Sequence, residues 1–282
     1  MSNENSKTPA PQKSRNQSLA RGLAILEAIS REGSEQGIRE LSRKLGLNKS
    51  IVHRLVLTLA DHGFLEQNPA TTKYRIGIRA FEIGQVYVST DGLQEAALPE
   101  LRSLAREHHL NAILGVRHAD KVVYLLTIPS SAEIVLRSRP GARSPLHSTA
   151  VGKALLAGEP DSELEVILGK GPLEKFTSET IVSLSDLRAE LEEVRRRGYS
   201  INDEEYYPEI FSVGAPVYDQ HGEVTAAISG SVPRYQITGD RIPEIVRLVT
   251  KGAHSISRRL GAIGDLSNAS AQRGKVSIRA KS

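Results

Sequence analysis

Five polar side chains recur along one predicted helix in a pattern suited to contact with DNA. Lys49, Ser50, His53, Arg54 and Thr58 leave the opposite side of that helix to apolar residues at helical spacing. Phosphates attract cations, and hydroxyl, imidazole and guanidinium groups form hydrogen bonds with the base edges of the major groove. The pattern predicts a recognition helix in the major groove of double-stranded DNA, with Arg54 on a base or, alternatively, on a phosphate.

A second basic segment follows this helix and has the pattern of a β-hairpin. Lys73 and Arg75 flank Tyr74 on a predicted strand, and Asn68 and Pro69 predict the turn that precedes it. Successive side chains of a strand point to opposite faces, so the two cations share one face. We expect Lys73 and Arg75 to lie along the phosphates beside the groove.

Three helical patterns precede the hairpin in the order of a winged helix-turn-helix. Gly46 ends the second pattern and supplies a tight turn, and Asn48 is suited to cap the third. The apolar positions expected to face the core are Leu19, Leu23, Leu26 and Ile29, then Ile38, Leu41 and Leu45, then Val52, Leu55, Val56 and Leu59. Residues 18–77 are therefore predicted to form a winged helix-turn-helix domain.

A simpler interpretation is that the cations are solvated surface and the three helices a common fold fragment. The winged-helix interpretation is favoured because helix order, glycine turn, polar face and basic hairpin agree independently. Charge supports it as well. Residues 1–77 hold 12 Lys and Arg against 7 Asp and Glu, whereas residues 78–264 hold 21 against 25. Such an asymmetry predicts salt-sensitive DNA binding by the N-terminal domain.

Composition limits the remaining possibilities. With 282 residues, of which 39% are hydrophobic, the chain can form two domains with proper cores. The absence of Cys excludes disulfides and thiolate zinc sites, and no apolar run is long enough for a membrane span or secretion signal. We expect a soluble, cytoplasmic protein that has no metal, no cofactor and no membrane partner.

Two tails and a linker complete the predicted domain organisation. Residues 1–17 and 263–282 are polar tails expected to be disordered, and the second is basic. Mobile surface is the favoured interpretation of both tails, and weak, sequence-independent DNA contact is the alternative. Residues 78–92 are predicted to form a linker helix, and residues 93–262 a second domain.

The second domain mixes strand and helix patterns and is predicted to be α+β. Pro99 is expected to kink or split its first helix. Strand patterns occur in NAILGVRH, KVVYLLTI, EIVLRSR, GYSIND, IFSVGAPVYD and EVTAAISGSV, and helix patterns occur in TAVGKALLA, DSELEVIL, LSDLRAELEEVRRRG and a final segment at about residues 240–260. This arrangement is typical of a small-molecule sensor domain.

An enzyme is the competing class, but the features that suggest one are weak. A phosphate-binding loop around Gly152 and Lys153 is excluded because His147 and Ala154 occupy positions that the motif gives to Gly and to Ser or Thr. The adjacent histidines 108 and 109 diverge on a helix and do not form a zinc pair. The acidic run at 203–205 is expected to face solvent or to pair with the nearby arginines at 195–197. No catalytic residue is predicted.

Motifs of both domains resemble the IclR family of bacterial transcription regulators over residues 18–262. They are SLARGLAILEAI, KSIVHRLVLTLADHGFL, SPLHSTAVGKALLA, RGYSINDEE and APVYDQHGEVTAAISGSVP. The resemblance implies an N-terminal winged helix, a C-terminal GAF-like effector-binding domain, and assembly into dimers or dimers of dimers. It also implies control of a metabolic operon in response to a small molecule.

A ligand pocket is predicted where SPLHSTAVGKALLA begins a helix. Ser148 or Thr149 is suited to cap this helix, and a helix N-terminus favours anions. Ser229 and Ser231 alternate along a strand, so their hydroxyls point the same way. The resemblance implies that the effector-binding residues are Leu136, Ala150, Val151, Asn202, Ser212, Ser229 and Ser231. These groups suit a small carboxylate, although two serines on one face could instead satisfy backbone groups.

Some relatives carry an acidic residue where Asn202 stands and a thiol where Ser212 stands, so the resemblance implies the pocket's location and not its ligand. Together with this resemblance, the sequence predicts a ligand-responsive regulator that binds an inverted-repeat operator as a homo-oligomer; a repressor is favoured, and an activator is the alternative. The alternative is a small-molecule sensor or adaptor without sequence-specific DNA binding.

Overall fold

The computed structural model describes residues 16–89, 92–130 and 138–262 of the chain. They belong to two compact units, Met1–Thr90 and Asp91–Ser282. Among the helices in the described ranges, none has both the length and the apolar character needed to cross a membrane.

The first unit is a three-helix bundle with a β-hairpin and a further helix. Its elements are α1 (Gln17–Glu32), α2 (Ile38–Leu45), α3 (Lys49–Asp61), β1 (Leu65–Gln67), β2 (Tyr74–Ile76) and α4 (Ile78–Ser89). Gly46 adopts a left-handed conformation, φ 62°, between α2 and α3, as the turn requires. The Asn48 side chain accepts a hydrogen bond from the Ser50 amide at the start of α3. The predicted helices, turn and cap are all present.

The buried side of α1 differs from the predicted one. Ile25 and Ile29 enter the core, whereas the expected core residues Leu19 and Leu23 are 62% and 52% exposed. Leu26 is partly buried against the same cluster. The prediction for Leu19 and Leu23 was wrong because α1 carries two overlapping apolar stripes, and only contact with α2 and α3 selects between them.

The second unit is a six-stranded antiparallel sheet covered by helices on both faces. In chain order its elements are α5 (Leu93–Arg106), β3 (Asn111–His118), β4 (Lys121–Ile128), β5 (Arg143–Pro145), α6 (Ala150–Leu156), α7 (Leu164–Leu168), α8 (Leu184–Arg197), β6 (Ser200–Asp203), β7 (Ile210–Tyr218), β8 (Val224–Pro233), a 3-10 turn (Arg234–Gln236) and α9 (Arg241–Arg259). The strand order is β5-β4-β3-β8-β7-β6. The predicted α+β architecture is confirmed.

Alternation along the strands gives the sheet two different cores. On one face, α5 and α9 pack over sheet residues such as Leu114 and Val213, which are fully buried. On the other face, α6 packs over Ile113 and Ala227, and α8 packs on α6. Sheet positions on the α6 side that α6 does not cover remain available for a ligand.

Three details of the second unit differ from the prediction. Pro99 does not split α5, which runs as one helix from Leu93 to Arg106, and the alternative of a kink stays a prediction. His108 and His109 follow the end of α5, so they are not helical neighbours. The strand predicted at 133–139 falls largely on residues 131–137, outside the described residues, and the strand observed beside β4 is β5.

Candidate nucleic-acid interface and ligand cavity

The polar side of α3 is open to solvent along its length. All five residues predicted to contact DNA are exposed: Lys49, Ser50, His53, Arg54 and Thr58. The side chains of Lys49, His53 and Arg54 form no hydrogen bond or ion pair with the described residues. The Thr58 hydroxyl donates to the Arg54 carbonyl at 3.0 Å, which leaves its oxygen able to accept. This side of α3 offers cationic, donor and acceptor groups with little competition from the protein itself.

The two cations of the hairpin are paired within the protein. Lys73 Nζ lies 3.1 Å from Glu40 Oε1, and Arg75 Nη2 lies 3.0 Å from Glu66 Oε1. The pKa of Glu40 is lowered by a hydrogen bond from the Gly37 amide and then by Lys73. Exposed ion pairs are weak, so a phosphate can compete for both cations.

Hydrogen bonds attach the hairpin to the segment before α2. Glu35 accepts from Asn68 Nδ2 at 2.7 Å and from Thr71 Oγ1 at 2.8 Å, and these two bonds lower the pKa of its carboxyl group. Gln36 and Tyr74 exchange two backbone hydrogen bonds of 2.9 Å. The hairpin is therefore held in one position relative to α2 before any DNA is present.

The second unit contains a cavity on the α6 side of the sheet. Asn202, Ser212 and Ser231 lie side by side on β6, β7 and β8, in register, and form a polar row across its base. Ser229 lies two residues before Ser231 on the same face and also lines the cavity. The volume is about 440 Å³, including space at the open mouth. This part of the sheet therefore brings three serine hydroxyl groups and one amide group to the cavity.

The start of α6 forms a second side of the cavity. Thr149 caps the helix, since its Oγ1 accepts from the Gly152 amide at 3.1 Å and donates to the Pro145 carbonyl at 2.7 Å. The cavity-lining Ala150 and Val151 have backbone amides with no partner among the described residues. Both amides are therefore available to an acceptor on a ligand.

The polar row is already partly hydrogen-bonded. Ser212 Oγ donates to Ser231 Oγ at 2.8 Å, and Asn202 Nδ2 donates to the Ser148 carbonyl. The Ser229 hydroxyl has no hydrogen-bond partner within the described ranges, although the residue is 2% exposed. Because this hydroxyl lines the cavity, it is free to form a hydrogen bond with a ligand.

All six predicted effector-binding residues that the structure describes line this one cavity: Ala150, Val151, Asn202, Ser212, Ser229 and Ser231. Leu136, the seventh, lies outside the described residues. The sequence prediction did not include the aromatic residues that line the same cavity, which are Tyr124, Tyr206 and Tyr207. The Tyr206-Tyr207 pair that follows the acidic run is the signal that could have identified two of them.

These three tyrosines form one wall of the cavity, here called the tyrosine wall, and Phe176 packs against it. The ring centroids of Tyr206 and Tyr207 are 4.3 Å apart, and Phe176 meets Tyr206 edge-on at 4.9 Å. Burial raises the pKa of Tyr206 well above its usual value, because desolvation disfavours the charged phenolate and favours the neutral hydroxyl. The wall combines flat apolar surface with a hydrogen-bond donor.

Both units match models of one protein family. Residues 18–69 match the IclR helix-turn-helix domain, and residues 85–258 match the bacterial transcriptional regulator IclR C-terminal domain. The chain belongs to the IclR family. As the named relatives of this family are regulators, the protein is a DNA-binding transcriptional regulator and not an enzyme.

Individual IclR-family proteins resemble the chain along most of its length. The HTH-type transcriptional regulator XynR of Escherichia coli (strain K12) is 31% identical over 245 residues, 87% of this chain and 97% of XynR. The transcriptional repressor IclR of the same organism is 32% identical over 256 residues, 90% of this chain and 93% of the repressor. An IclR homologue from Microbacterium hydrocarbonoxydans, solved with 4-hydroxybenzoate, is 25% identical, with a TM-score of 0.76 and coverage of 86% of this chain and 98% of its own.

A buried ion pair lies directly behind the cavity of this IclR-family domain. Lys153 is 1% exposed, and its Nζ lies 2.5 Å from Glu205 Oε1 and 3.2 Å from Glu190 Oε1. Burial raises the pKa of Glu205, and the charge of Lys153 opposes this shift. The pair connects α6 to the residue that precedes Tyr206, so it ties two sides of the cavity together.

The acidic run therefore differs from its prediction. Glu205 is buried against Lys153 instead of facing solvent or pairing with Arg195, Arg196 or Arg197. Asp203 pairs with Arg234 at 2.6 Å. The sequence-adjacent arginines were a misleading guide because they lie on α8, where they bind other acceptors.

Proposed function

We propose that this IclR-family regulator represses a metabolic operon and that a small organic acid controls it. The observation that supports the proposal is that six residues predicted from separate sequence motifs line a single cavity. The first unit, with the exposed polar side of α3, is the part of the protein whose DNA binding the ligand would control. The compartment that follows from DNA binding in a bacterium is the cytoplasm.

The chemistry of the cavity favours a carboxylate that is held by neutral donors. Its described lining contains no Lys or Arg, but it offers the Ser229 hydroxyl and the amides of Ala150 and Val151. Buried hydrogen bonds to an ionised acceptor are stronger than neutral ones. A related protein solved with 4-hydroxybenzoate, a small carboxylic acid, is in keeping with this class of effector.

Loss of a serine hydroxyl is expected to weaken effector binding. Ser229→Ala and Ser231→Ala should each raise the dissociation constant of the cognate acid about 10- to 100-fold, the range for a hydrogen bond to a charged group. Isothermal titration calorimetry measures this. Ser185→Ala, at an exposed position of α8, is the matched control and should bind like wild type. Unchanged affinity in both cavity variants would show that the effector binds elsewhere.

For DNA, we propose that Lys49, Ser50, His53 and Arg54 enter the major groove while Lys73 and Arg75 hold phosphates. Two winged-helix units related by a dimer axis imply an operator made of two inverted half-sites. Exposed apolar side chains support a dimer formed through the first unit: Leu19 and Leu23 on α1, and Ile78 and Phe81 on α4. The effector would change DNA affinity by favouring one arrangement of the two winged-helix units in the dimer. The coupling free energy between effector binding and DNA binding is expected to be about 1–3 kcal/mol.

Base and phosphate contacts should respond differently to mutation. Arg54→Ala is expected to cost about 1–3 kcal/mol on the operator and to relax base preference, because a base contact is lost. Lys73→Ala should weaken all sequences alike and reduce the salt dependence by about one unit of slope. Fluorescence anisotropy across a salt series, on operator and scrambled duplexes, separates these results. If Lys73→Ala changes base preference instead, the hairpin reads sequence.

Selection of bound duplexes from random DNA tests the proposal as a whole. The purified protein should enrich an inverted repeat with steep salt dependence, and a panel of aliphatic and aromatic acids should include one that shifts its affinity. If no sequence is enriched with or without these acids, the alternative of a sensor without sequence-specific DNA binding replaces the regulator proposal.

A further inference from the structure

The exposed side of α3 contains one large apolar side chain among its polar groups. Leu57 is 42% exposed, and it lies beside Arg54 and Thr58, which are also exposed. The opposite side of the helix is committed to the core through Val52 and Val56, so α3 cannot rotate to bury Leu57. The leucine therefore remains on the surface that the proposed function assigns to DNA.

The position of Leu57 matches that of a base-reading residue. Ser50, His53, Arg54 and Leu57 are spaced i, i+3, i+4 and i+7, which places them on one side of a helix. Base-contacting residues of homeodomain recognition helices have this same spacing. With a rise of about 1.5 Å per residue, Ser50 and Leu57 are separated by roughly 10 Å along the helix axis, which is within the width of the major groove, about 12 Å. The leucine is thus within reach of bases in the same half-site.

The major groove offers few partners for an apolar side chain. Base edges present hydrogen-bond donors and acceptors, and the apolar group among them is the C5-methyl of thymine. We propose that Leu57 reads a thymine in each half-site through contact with this methyl group. The inference rests on the proposed placement of α3 in the major groove, and it adds a specificity residue that is not among the hydrogen-bonding set.

The surroundings of Leu57 favour DNA over a protein partner. His53 and Arg54 lie one helical turn before Leu57, and Thr58 directly follows it. All three side chains are exposed. Exposed Asp61 lies one turn after the leucine, so the polar rim around Leu57 is cationic towards the start of α3 and acidic at its end. The donor groups of this rim complement phosphates and base edges, and charge on both sides of Leu57 is untypical of protein interfaces, which are depleted of charge at their centres. A self-association site at Leu57 would be an outcome of the test below.

The test removes only the methyl group from the DNA. Each thymine of the selected operator is replaced in turn by deoxyuridine, and the dissociation constants of wild type and Leu57→Ala are measured for every duplex. At one thymine per half-site, we expect wild type to lose about fourfold in affinity, the effect of one methyl-sized apolar group. At that same position, the Leu57→Ala variant should bind the thymine duplex and the deoxyuridine duplex with equal affinity. Lys49→Ala, the control, should keep the wild-type sensitivity to deoxyuridine.

Several results would overturn the inference. Wild type and Leu57→Ala could lose affinity equally when deoxyuridine replaces each thymine, or wild type could lose none at any position. The selected half-site could contain no thymine, or Leu57→Ala could lose dimerisation instead of methyl recognition. Arg54→Ala distinguishes this failure from that of the proposed function. If Arg54→Ala relaxes base preference, α3 reads the groove and only the role of Leu57 is wrong. If base preference is unchanged in both Arg54→Ala and His53→Ala, the placement of α3 itself is wrong; the second variant is needed because Arg54 alone could lie on a phosphate.

Discussion

Replacement of Lys153 by Met is expected to lower the free energy of unfolding of the second unit by about 3–5 kcal/mol, the cost of leaving one member of a buried ion pair alone. Lys153 is almost fully buried, and Glu205 Oε2 has no hydrogen-bond partner in the described part of the chain. Without Lys153, the Glu205 carboxylate would lose the positive charge that offsets the cost of its burial. Urea unfolding followed by circular dichroism measures the change, since the chain has no Trp.

Two further variants make this result specific to the buried pair. Lys153→Met combined with Glu205→Leu should recover part of the lost stability, because no unpaired charge is left in the interior. Arg188→Met, which breaks an exposed pair with Glu165, should change stability little. A Lys153→Met protein as stable as wild type would mean that Glu205 is readily solvated or protonated after the lysine is lost.

Substitution of Gly214 by Ala is expected to weaken effector binding by more than about tenfold, the effect of about 1.4 kcal/mol or more, while DNA binding is retained. A Cβ at this position would lie 2.4 Å from the Ala150 carbonyl oxygen and 2.6 Å from Ser200 Oγ. Because backbone cannot yield as a flexible side chain does, the start of α6 must move away from β7. Overpacking of this kind also destabilises by about 1–3 kcal/mol. Calorimetry with the cognate acid and anisotropy with operator DNA measure the two effects.

Gly171→Ala is the matched control, because a Cβ there meets no atom within 4 Å. It should bind both acid and DNA like wild type. Retained effector affinity in Gly214→Ala would show that the ligand does not depend on the start of α6. Loss of operator binding in the absence of ligand would show that the substitution acts on more than the cavity.

Local patterns in the sequence were sufficient for most of the first unit. The turn at Gly46, the cap at Asn48 and the polar side of α3 depend on residues a few positions apart, so periodicity and capping chemistry predict them. The same reasoning failed for Leu19 and Leu23, which border the core without entering it. Periodicity identifies an apolar stripe, but packing against other helices decides which of two overlapping stripes is buried.

The cavity required more than local patterns. Ser229 and Ser231 could be placed on one face by strand alternation, yet their proximity to Ala150 was implied only by family resemblance. The tyrosine wall was missed because nothing in the spacing of Tyr206 and Tyr207 indicates which surface they face.

The sequence by itself determined the order of most helices and strands, though not β5, together with the α+β class, the winged helix and the basic character of its surface, because these follow from short-range periodicity and charge. Tertiary structure alone decided that Lys153 binds Glu205, which is 52 positions away along the chain, and that the hairpin cations pair with Glu40 and Glu66. Contacts of this kind depend on strand register and on how closely a helix approaches the sheet. Those distances are set by the packing of the whole unit, which no local pattern encodes.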